Sequence, residues 1–413
     1  MNKKNSILPI FLTVFIDLIG IGIAIPILAP MFLDENSTLF DAGVGLGERT
    51  FILGIILALY PIFQFFGAPI LGGLSDRMGR KPLLSVSIFG TMIGYILFAL
   101  GVSMGNIWLL VIGRIIDGFT GGNISIAQSA IADSSDQESK TKNFGLIGMA
   151  FGLGFIIGPF IGGKLGDSSI ISWFNYSTPF WFAALLSFIN LILIQIMFRE
   201  TLKEKIHKKA DILMGFRNIA KAINMPNMRV AFFVVFLMMF GFTFFTQFFQ
   251  VFLIEKFHYT QSQIGDLFAF MGICVAIVQG GITRLVSKRF KPAQVLNYTL
   301  LGLSIVVGTY ILVTDASQIY YIVPFIALFN GISQPNLTAL VSNMADEKSQ
   351  GEILGINQSI IAFAWAIPPI ISGFISAIDV RLPIIVGSTI MFIAWGVFVL
   401  YFREKQKEQF HEV

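Results

Sequence analysis

The sequence predicts an all-α integral membrane protein: twelve transmembrane helices in two pseudo-symmetric six-helix bundles. Three observations carry this. Mean hydropathy is +0.78 and only 13% of the 413 residues are charged, against about 25% in soluble domains. Twelve apolar stretches approach the roughly 20 residues that a helix needs to cross a bilayer core. A set of residues also recurs at a constant offset of 210.

The stretches run roughly 7–33, 51–72, 83–103, 107–132, 143–166, 179–198, 229–254, 264–286, 293–314, 319–343, 353–376 and 382–402. Met1–Lys4 precede an apolar run too long for a signal-peptide core and without a small-residue cleavage site, so the first stretch reads as a retained span. The longest polar connection, Arg199 to Met228, is lysine-rich with helical spacing over 211–224, and reads as a linker lying partly on the membrane surface. The expected domains are 1–198, a first bundle; 199–228, a cytoplasmic linker with an amphipathic helix; and 229–413, a second bundle and tail. With both termini inside, cytoplasmic segments hold 23 of 28 basic residues and outer loops hold four, Arg49, Lys164, Lys256 and Arg381. That bias sets the orientation. The expected location is the inner (cytoplasmic) membrane, with both termini in the cytoplasm.

Composition removes several function classes. The net charge of +4 sits in membrane-flanking loops, so no nucleic-acid partner is expected. Cys274 is the single cysteine, and His207, His258 and His411 fall in loops or tails, so no disulfide framework and no metal site are expected. No G-x-x-x-x-G-K-[ST] loop occurs. An ATP-driven pump is disfavoured and no cofactor is expected.

The repeat pairs Lys81-Pro82 with Lys291-Pro292, Gly121 with Gly331, Asp136 with Asp346, Gly145 with Gly355, Pro159 with Pro369 and Gly163 with Gly373. Six matches on one ungapped diagonal place span 3 on 9, span 4 on 10 and span 5 on 11. Two parallel repeats around a midplane site are a secondary-transporter plan.

Span 4 carries charge at membrane depth. Arg114, Asp117, Gly118, Gly121, Ser125 and Gln128 are expected on one helical face. An arginine at the bilayer centre costs about 2.5–3.5 kcal/mol on insertion scales and needs a partner or a wet cavity. Asp117, one turn on, is the local partner, and Asp17 on span 1 is the other candidate. The pair reads either as a structural bridge that fixes packing or as part of a proton site. Burial favours the neutral form of a carboxylate and a nearby arginine the charged form. Asp17 has no cation at i+3 or i+4 on its own helix, so it is the preferred proton carrier, with Arg114 and Asp117 beside it.

Four motifs point to one family. The loop after span 2 reads Gly72-Gly73-Leu74-Ser75-Asp76-Arg77-Met78-Gly79-Arg80-Lys81. It resembles the G-x-L-S-D-R-x-G-R-K loop of the major facilitator superfamily. Arg114 and Gly118 resemble that superfamily's R-x-x-q-G pattern, and Gly154, Gly158, Pro159, Gly162 and Gly163 its antiporter G-x-x-x-G-P-x-x-G-G. Asp17 to Pro26 is similar to the first helix of tetracycline exporters and related proton-driven drug exporters. The resemblance implies a conformational latch of Gly72, Asp76, Arg77, Gly79, Arg80 and Asp133. In it Asp76 works against the start of span 11 (351–356) and Arg80 turns towards Asp133. The resemblance also implies that the span-5 glycine-proline spine seals the cavity against leak and marks antiport. Two departures are plain: Asp117 stands where the family pattern has glutamine or a small residue, and span 8 (272–276) lacks the histidine of tetracycline exporters.

The second half offers polar groups without charge. Thr243, Gln247 and Gln250 share a face of span 7; Asn330 and Gln334 stack on span 10; Gln358 and Trp365 share a face of span 11. With Gln128 they are candidate cavity-lining residues, suited to amphipathic organic substrates, though polar residues also glue membrane helices. The expected function is a monomeric, proton-coupled exporter of small amphipathic compounds, driven by the proton gradient. The alternatives are a dedicated metabolite exporter (a siderophore, for example) and a proton symporter, which the span-5 motif disfavours. No nucleophile, metal cluster or Ser/His/Asp set supports an enzyme.

Overall fold

In hydrocarbon every backbone N–H and C=O must be paired within a helix or a closed barrel, and among the described residues every membrane-spanning stretch is helical. The computed structural model describes residues 7–411 apart from 42, 136, 203–210, 227 and 346–348. Twelve helical stretches among them are long and apolar enough to span a membrane. Spans 1 to 6 are Ile7–Leu33, Leu46–Met78, Arg80–Met104, Ile107–Ser134, Leu146–Leu165 and Thr178–Met197. Spans 7 to 12 are Arg229–Phe257, Gln261–Arg289, Pro292–Leu312, Ala316–Asn343, Glu352–Ser376 and Leu382–Tyr401. A short helix, Met214–Ile223, lies in the linker. The repeated pair Asp136 and Asp346, and His207, lie outside the described residues.

The chain separates into two compact units, Met1–Met214 with His258–Gly272, and Gly215–Phe257 with Ile273–Val413. The first half of span 8 thus clusters with the first unit. Glycine makes the contact: a Cβ on Gly163 would lie 2.6 Å from the Gln261 carbonyl oxygen, and one on Gly265 would lie 2.6 Å from the Pro159 carbonyl oxygen. Lys164 Nζ donates to Asp266 Oδ2 and Ser262 Oγ, both at 2.8 Å.

Inside the first unit, the span-5 ladder closes on span 1. A Cβ on Gly154 would lie 2.6 Å from Leu18 Cβ, and one on Gly158 2.7 Å from Gly22 Cα and the Ile19 carbonyl oxygen. Gly162 sits as tightly on the Ile23 carbonyl. Spacing of i, i+4, i+8 clears one helix face so that two backbones touch. The second unit has one such close approach, where a Cβ on Gly241 of span 7 would lie 2.7 Å from the Gly387 carbonyl oxygen of span 12, and adds bulk. Phe244, Phe245, Phe248, Phe249 and Phe252 of span 7 are fully buried, and Phe249 packs edge-on to Tyr310 at 4.8 Å.

Several local expectations need correcting. Span 4 is not one continuous face. It breaks into Ile107–Thr120 and Asn123–Ser134, with Gly121 and Gly122 between. Tertiary packing is the cause: a Cβ on Gly122 would lie 2.6 Å from the Ala68 nitrogen of span 2. The carbonyls of the opened turn find side-chain partners: Gln64 Nε2 of span 2 donates to the Gly121 carbonyl at 3.0 Å and Ser125 Oγ to the Gly122 carbonyl at 2.7 Å. The charged turn after span 2 is not a loop either. Span 2 runs helically to Met78 and span 3 starts at Arg80, with Gly79 alone between them at φ 112°. Arg49, counted with the outer loops, is buried in the first turn of span 2. It donates to the Asp34 carbonyl at 2.6 Å and the Val44 carbonyl at 3.1 Å. Span 8 has a π-helical turn at Val278–Ile282. Span 11 breaks at Ile367, before Pro368. The repeated positions therefore differ locally: Gly331 and Pro159 sit inside unbroken helices, while their counterparts Gly121 and Pro369 mark breaks.

The ladder makes a prediction with an internal control. Gly158→Val overpacks the span 1–span 5 contact and costs about 1–3 kcal/mol, read as a lower melting temperature in detergent. Gly148→Val on the same helix, where a Cβ meets open space, leaves that temperature unchanged.

Candidate functional site

Four polar side chains converge from spans 1 and 4. Asp17 is 6% exposed, Arg114 7%, Asp117 3% and Asn123 3%. Glycines make the room. A Cβ on Gly94 of span 3 would lie 2.9 Å from Asp117 Cβ, and one on Gly20 would lie 2.8 Å from Tyr95 Oη. Gly118 and Gly121 likewise admit Tyr60 of span 2.

The ion pair inside the cluster is loose. Arg114 Nη1 reaches Asp117 Oδ2 at 3.5 Å, long for a charge-assisted hydrogen bond. The guanidinium instead lies over the rings of Phe98 and Tyr60, at 5.2 and 5.8 Å from their centroids, a cation–π arrangement. Its Nε has no partner among the described residues. Tyr60 lies against the Arg114 guanidinium, and Tyr95 Oη against Gly20, about one turn from Asp17. With both acids ionised, two carboxylates stand against one guanidinium. A buried, uncompensated charge is expensive, so binding one proton relieves the site. Span 5 adds no charge where it meets span 1: Leu18 and Gly22 meet glycines and Pro159. Asn190 of span 6 is committed to the Thr13 carbonyl at 3.1 Å.

A second constellation surrounds Gly79. Arg80 is buried and pairs with Asp76 at 2.6 Å and with Asp133 at 2.9 Å, and it donates to Ser75 Oγ at 2.6 Å. Spans 2, 3 and 4 are thus tied by one guanidinium. Glu200, just past span 6, caps span 3 by accepting from the Arg80 and Lys81 backbone N–H groups at 2.9 and 3.1 Å. The positive φ of Gly79 and the closeness of Glu200, 2.5 Å from a would-be Cβ, leave only glycine there. Arg77 is exposed and Gly72 meets Ser125 Oγ.

The residues proposed for a cavity differ in burial and in bonding. Thr243 is buried and donates to its own helix at the Met239 carbonyl, 2.7 Å away. Gln334 donates to Met239 Sδ at 3.2 Å. Gln250 is buried with its Oε1 unpaired among the described residues. Gln128, Gln247 and Asn330 are half-buried, while Gln358 and Trp365 are exposed.

Sequence reasoning passed over Tyr60, Tyr95, Asn123, Glu200 and Asn357. Asn123 had a signal, an amide directly after Gly-Gly in an apolar span. Asn357 is buried beside Gln358, with its Oδ1 unpaired among the described residues. Among the described residues no three His, Cys, Asp or Glu side chains group as a metal site.

Comparison with known proteins agrees with this architecture. The profile of the Major Facilitator Superfamily matches residues 10–369. Tetracycline resistance protein, class C, of Escherichia coli is 31% identical over 360 residues, covering 86% of this chain and 85% of that one. The class H protein of Pasteurella multocida is 31% identical, covering 92% and 90%. Multidrug resistance protein 1 of Bacillus subtilis (strain 168) is 29% identical, covering 93% of each. The crystal structure of the human organic anion transporter MFSD10 (TETRAN) shares the fold, with TM-score 0.69 and 19% identity over 96% of this chain and all of that one. Twelve membrane-spanning helices, the charged hinge at Gly79 and these matches lead to one conclusion: the chain is a multi-pass membrane protein of the major facilitator superfamily, a family of transporters rather than enzymes, in the branch that holds these resistance proteins.

Proposed function

We propose that this chain exports small amphipathic organic compounds, drugs among them, across the inner membrane in exchange for protons, by alternating access. The observation that carries the reading is the buried excess of carboxylate over guanidinium at Asp17, Arg114 and Asp117. A site with one acid too many holds a proton or a cationic partner, but not neither. The names of its relatives, tetracycline and multidrug resistance proteins, support drugs as cargo.

In this cycle the inward-facing protein takes substrate while Asp17 is ionised. Substrate leaves outside, an external proton neutralises Asp17, and the neutral site returns. Arg114 and Asp117 set the local field. The span-5 spine of Gly154, Gly158, Pro159, Gly162 and Gly163 keeps the path tight against leak. The Arg80 network with Gly72, Asp76, Arg77, Gly79 and Asp133 latches one state. Gln128, Thr243, Gln247, Gln250, Asn330, Gln334, Gln358 and Trp365 supply polar and aromatic contacts to substrate, Gln250 having the clearest spare hydrogen-bonding capacity. The protein works as a monomer with two six-helix bundles, needs no cofactor, and keeps both termini in the cytoplasm, as its basic residues favour.

Two experiments test this. Inverted membrane vesicles with an imposed pH gradient accumulate substrate from a panel that includes tetracycline and a lipophilic cationic dye. Asp17→Asn abolishes that accumulation while the protein stays in the membrane; pH-driven uptake at the wild-type level would refute the assignment. Asp76→Asn, which removes one of the two carboxylates on Arg80, cuts turnover with assembly intact, and wild-type turnover would remove the latch.

A further inference from the structure

Lys164 carries an ion pair to which the transport cycle above gives no part. It is the penultimate residue of span 5, and the orientation set by the basic residues puts it on the outer side. Four basic residues fall there. Arg49 bonds the carbonyls of Asp34 and Val44, Lys256 the carbonyl of Val313, and Arg381 the carboxylate of Asp379, each within its own sequence half. Among the described residues, Lys164 alone of the four reaches from the first half into the second. Its Nζ donates to Asp266 Oδ2 and Ser262 Oγ of span 8, both at 2.8 Å.

The pair sits on a seam made of backbone. Gly163 and Gly265 bring spans 5 and 8 together at the Gln261 and Pro159 carbonyls, and Gln261 Nε2 donates to the Gly166 carbonyl at 3.0 Å. Further along, a Cβ on Gly272 would lie 2.4 Å from Ile156 Cγ1. Gly163 thus differs from the rest of the span-5 spine: Gly154, Gly158 and Gly162 close on span 1, and Gly163 closes on span 8. The seam covers Gln261 to Gly272, which is the stretch of span 8 that clusters with the first unit; from Ile273 onward the span belongs to the second. A π-helical turn follows at Val278–Ile282, a feature frequent at functional sites in helices.

We propose that Lys164, Ser262 and Asp266 form an outer latch, which holds spans 5 and 8 together in this structure and lets go when cargo leaves on the outside. Two physical features suit a contact that is made and broken in every cycle. The ion pair is half-exposed, its side chains 32% and 41% accessible, so water replaces either partner at little cost. A buried pair would leave an uncompensated charge on parting. At Gly163 and Gly265 the faces behind the pair are bare backbone, with no side chains to disengage. A permanent clasp needs neither feature. It would also join a span of each sequence half for good, which alternating access by those halves forbids.

This inference rests on alternating access, and the test separates the two claims. In the full-length protein with Cys274→Ser, Lys164→Cys and Asp266→Cys are joined by a short bifunctional thiol reagent with a reducible linker. Joining them abolishes accumulation of a compound that the same variant accumulates before linking, and reduction restores it. Undiminished accumulation with the linker in place would make the seam a permanent clasp and overturn the latch. A second measurement needs no substrate and carries the test should that variant be inactive before linking. Ala269 is buried on the seam face, between Gly265 and Gly272. Ala269→Cys in the Cys274→Ser background is labelled from outside with a membrane-impermeant maleimide. Lys164→Met and Asp266→Asn each speed the labelling by up to about fivefold, the size of one half-exposed pair. The exchange of Lys164→Asp with Asp266→Lys slows it again. Equal rates in all of these proteins would overturn the latch. Faster labelling in a protein that moves no compound of the panel would keep the latch and remove the export reading.

Discussion

Charge imbalance at membrane depth is the constraint on which the first unit depends. Two carboxylates and one guanidinium are buried there, and the pair that Arg114 forms with Asp117 is a long one. The cost of ions there is several kcal/mol when they are unpaired. Selection for stability alone would remove such a cluster, because apolar replacements of buried ion pairs are often neutral or stabilising. Its presence makes sense when the second negative charge comes and goes.

The rest of the unit holds that cluster in place. Glycines in spans 1, 3, 4 and 5 let four backbones approach until the polar side chains can only face each other. The tight seam between spans 1 and 5 fixes the depth of Asp17, since Leu18 and Gly22, which follow it on span 1, meet Gly154 and Gly158 directly. The broken span 4 then delivers two polar groups from one segment, Asp117 before the break and Asn123 after it. At the far end of the same spans, Arg80 ties spans 2, 3 and 4 through Asp76 and Asp133. The second unit has no equivalent charge in its buried core among the described residues. Its phenylalanine-rich span 7 gives that core its bulk.

Much of this was legible in the chain because hydrophobicity is a local property. The twelve spans follow from it within a few residues, as Ile7–Leu33 shows. Asp17, Arg114 and Asp117 stood out as charges where none is tolerated without cause. The glycine ladder stood out because i, i+4, i+8 spacing is visible without a partner. What stayed hidden depends on a second segment. The break at Gly121 is set by Ala68, some fifty residues away, and nothing in span 4 alone distinguishes a hinge from a packing glycine. Glu200 caps a helix that begins 120 residues earlier. Thr243 bonds its own backbone at the Met239 carbonyl, which a helical wheel cannot show. The repeat is a pattern of residues, yet the helix breaks at Gly121–Gly122 and runs on through Gly331: Gly122 meets the span 2 backbone at Ala68, whereas Gly331 meets the side chains of Val278 and Gln279.

If Asp17 exchanges its proton for cargo, proton and substrate compete in the purified protein as they do in the membrane. The most direct measurement is proton release into a weakly buffered solution when a transported compound is added to the detergent-solubilised wild type and to Asp17→Asn. The wild type releases protons and the variant releases none. Equal release from both would contradict the assignment of Asp17 as the carrier.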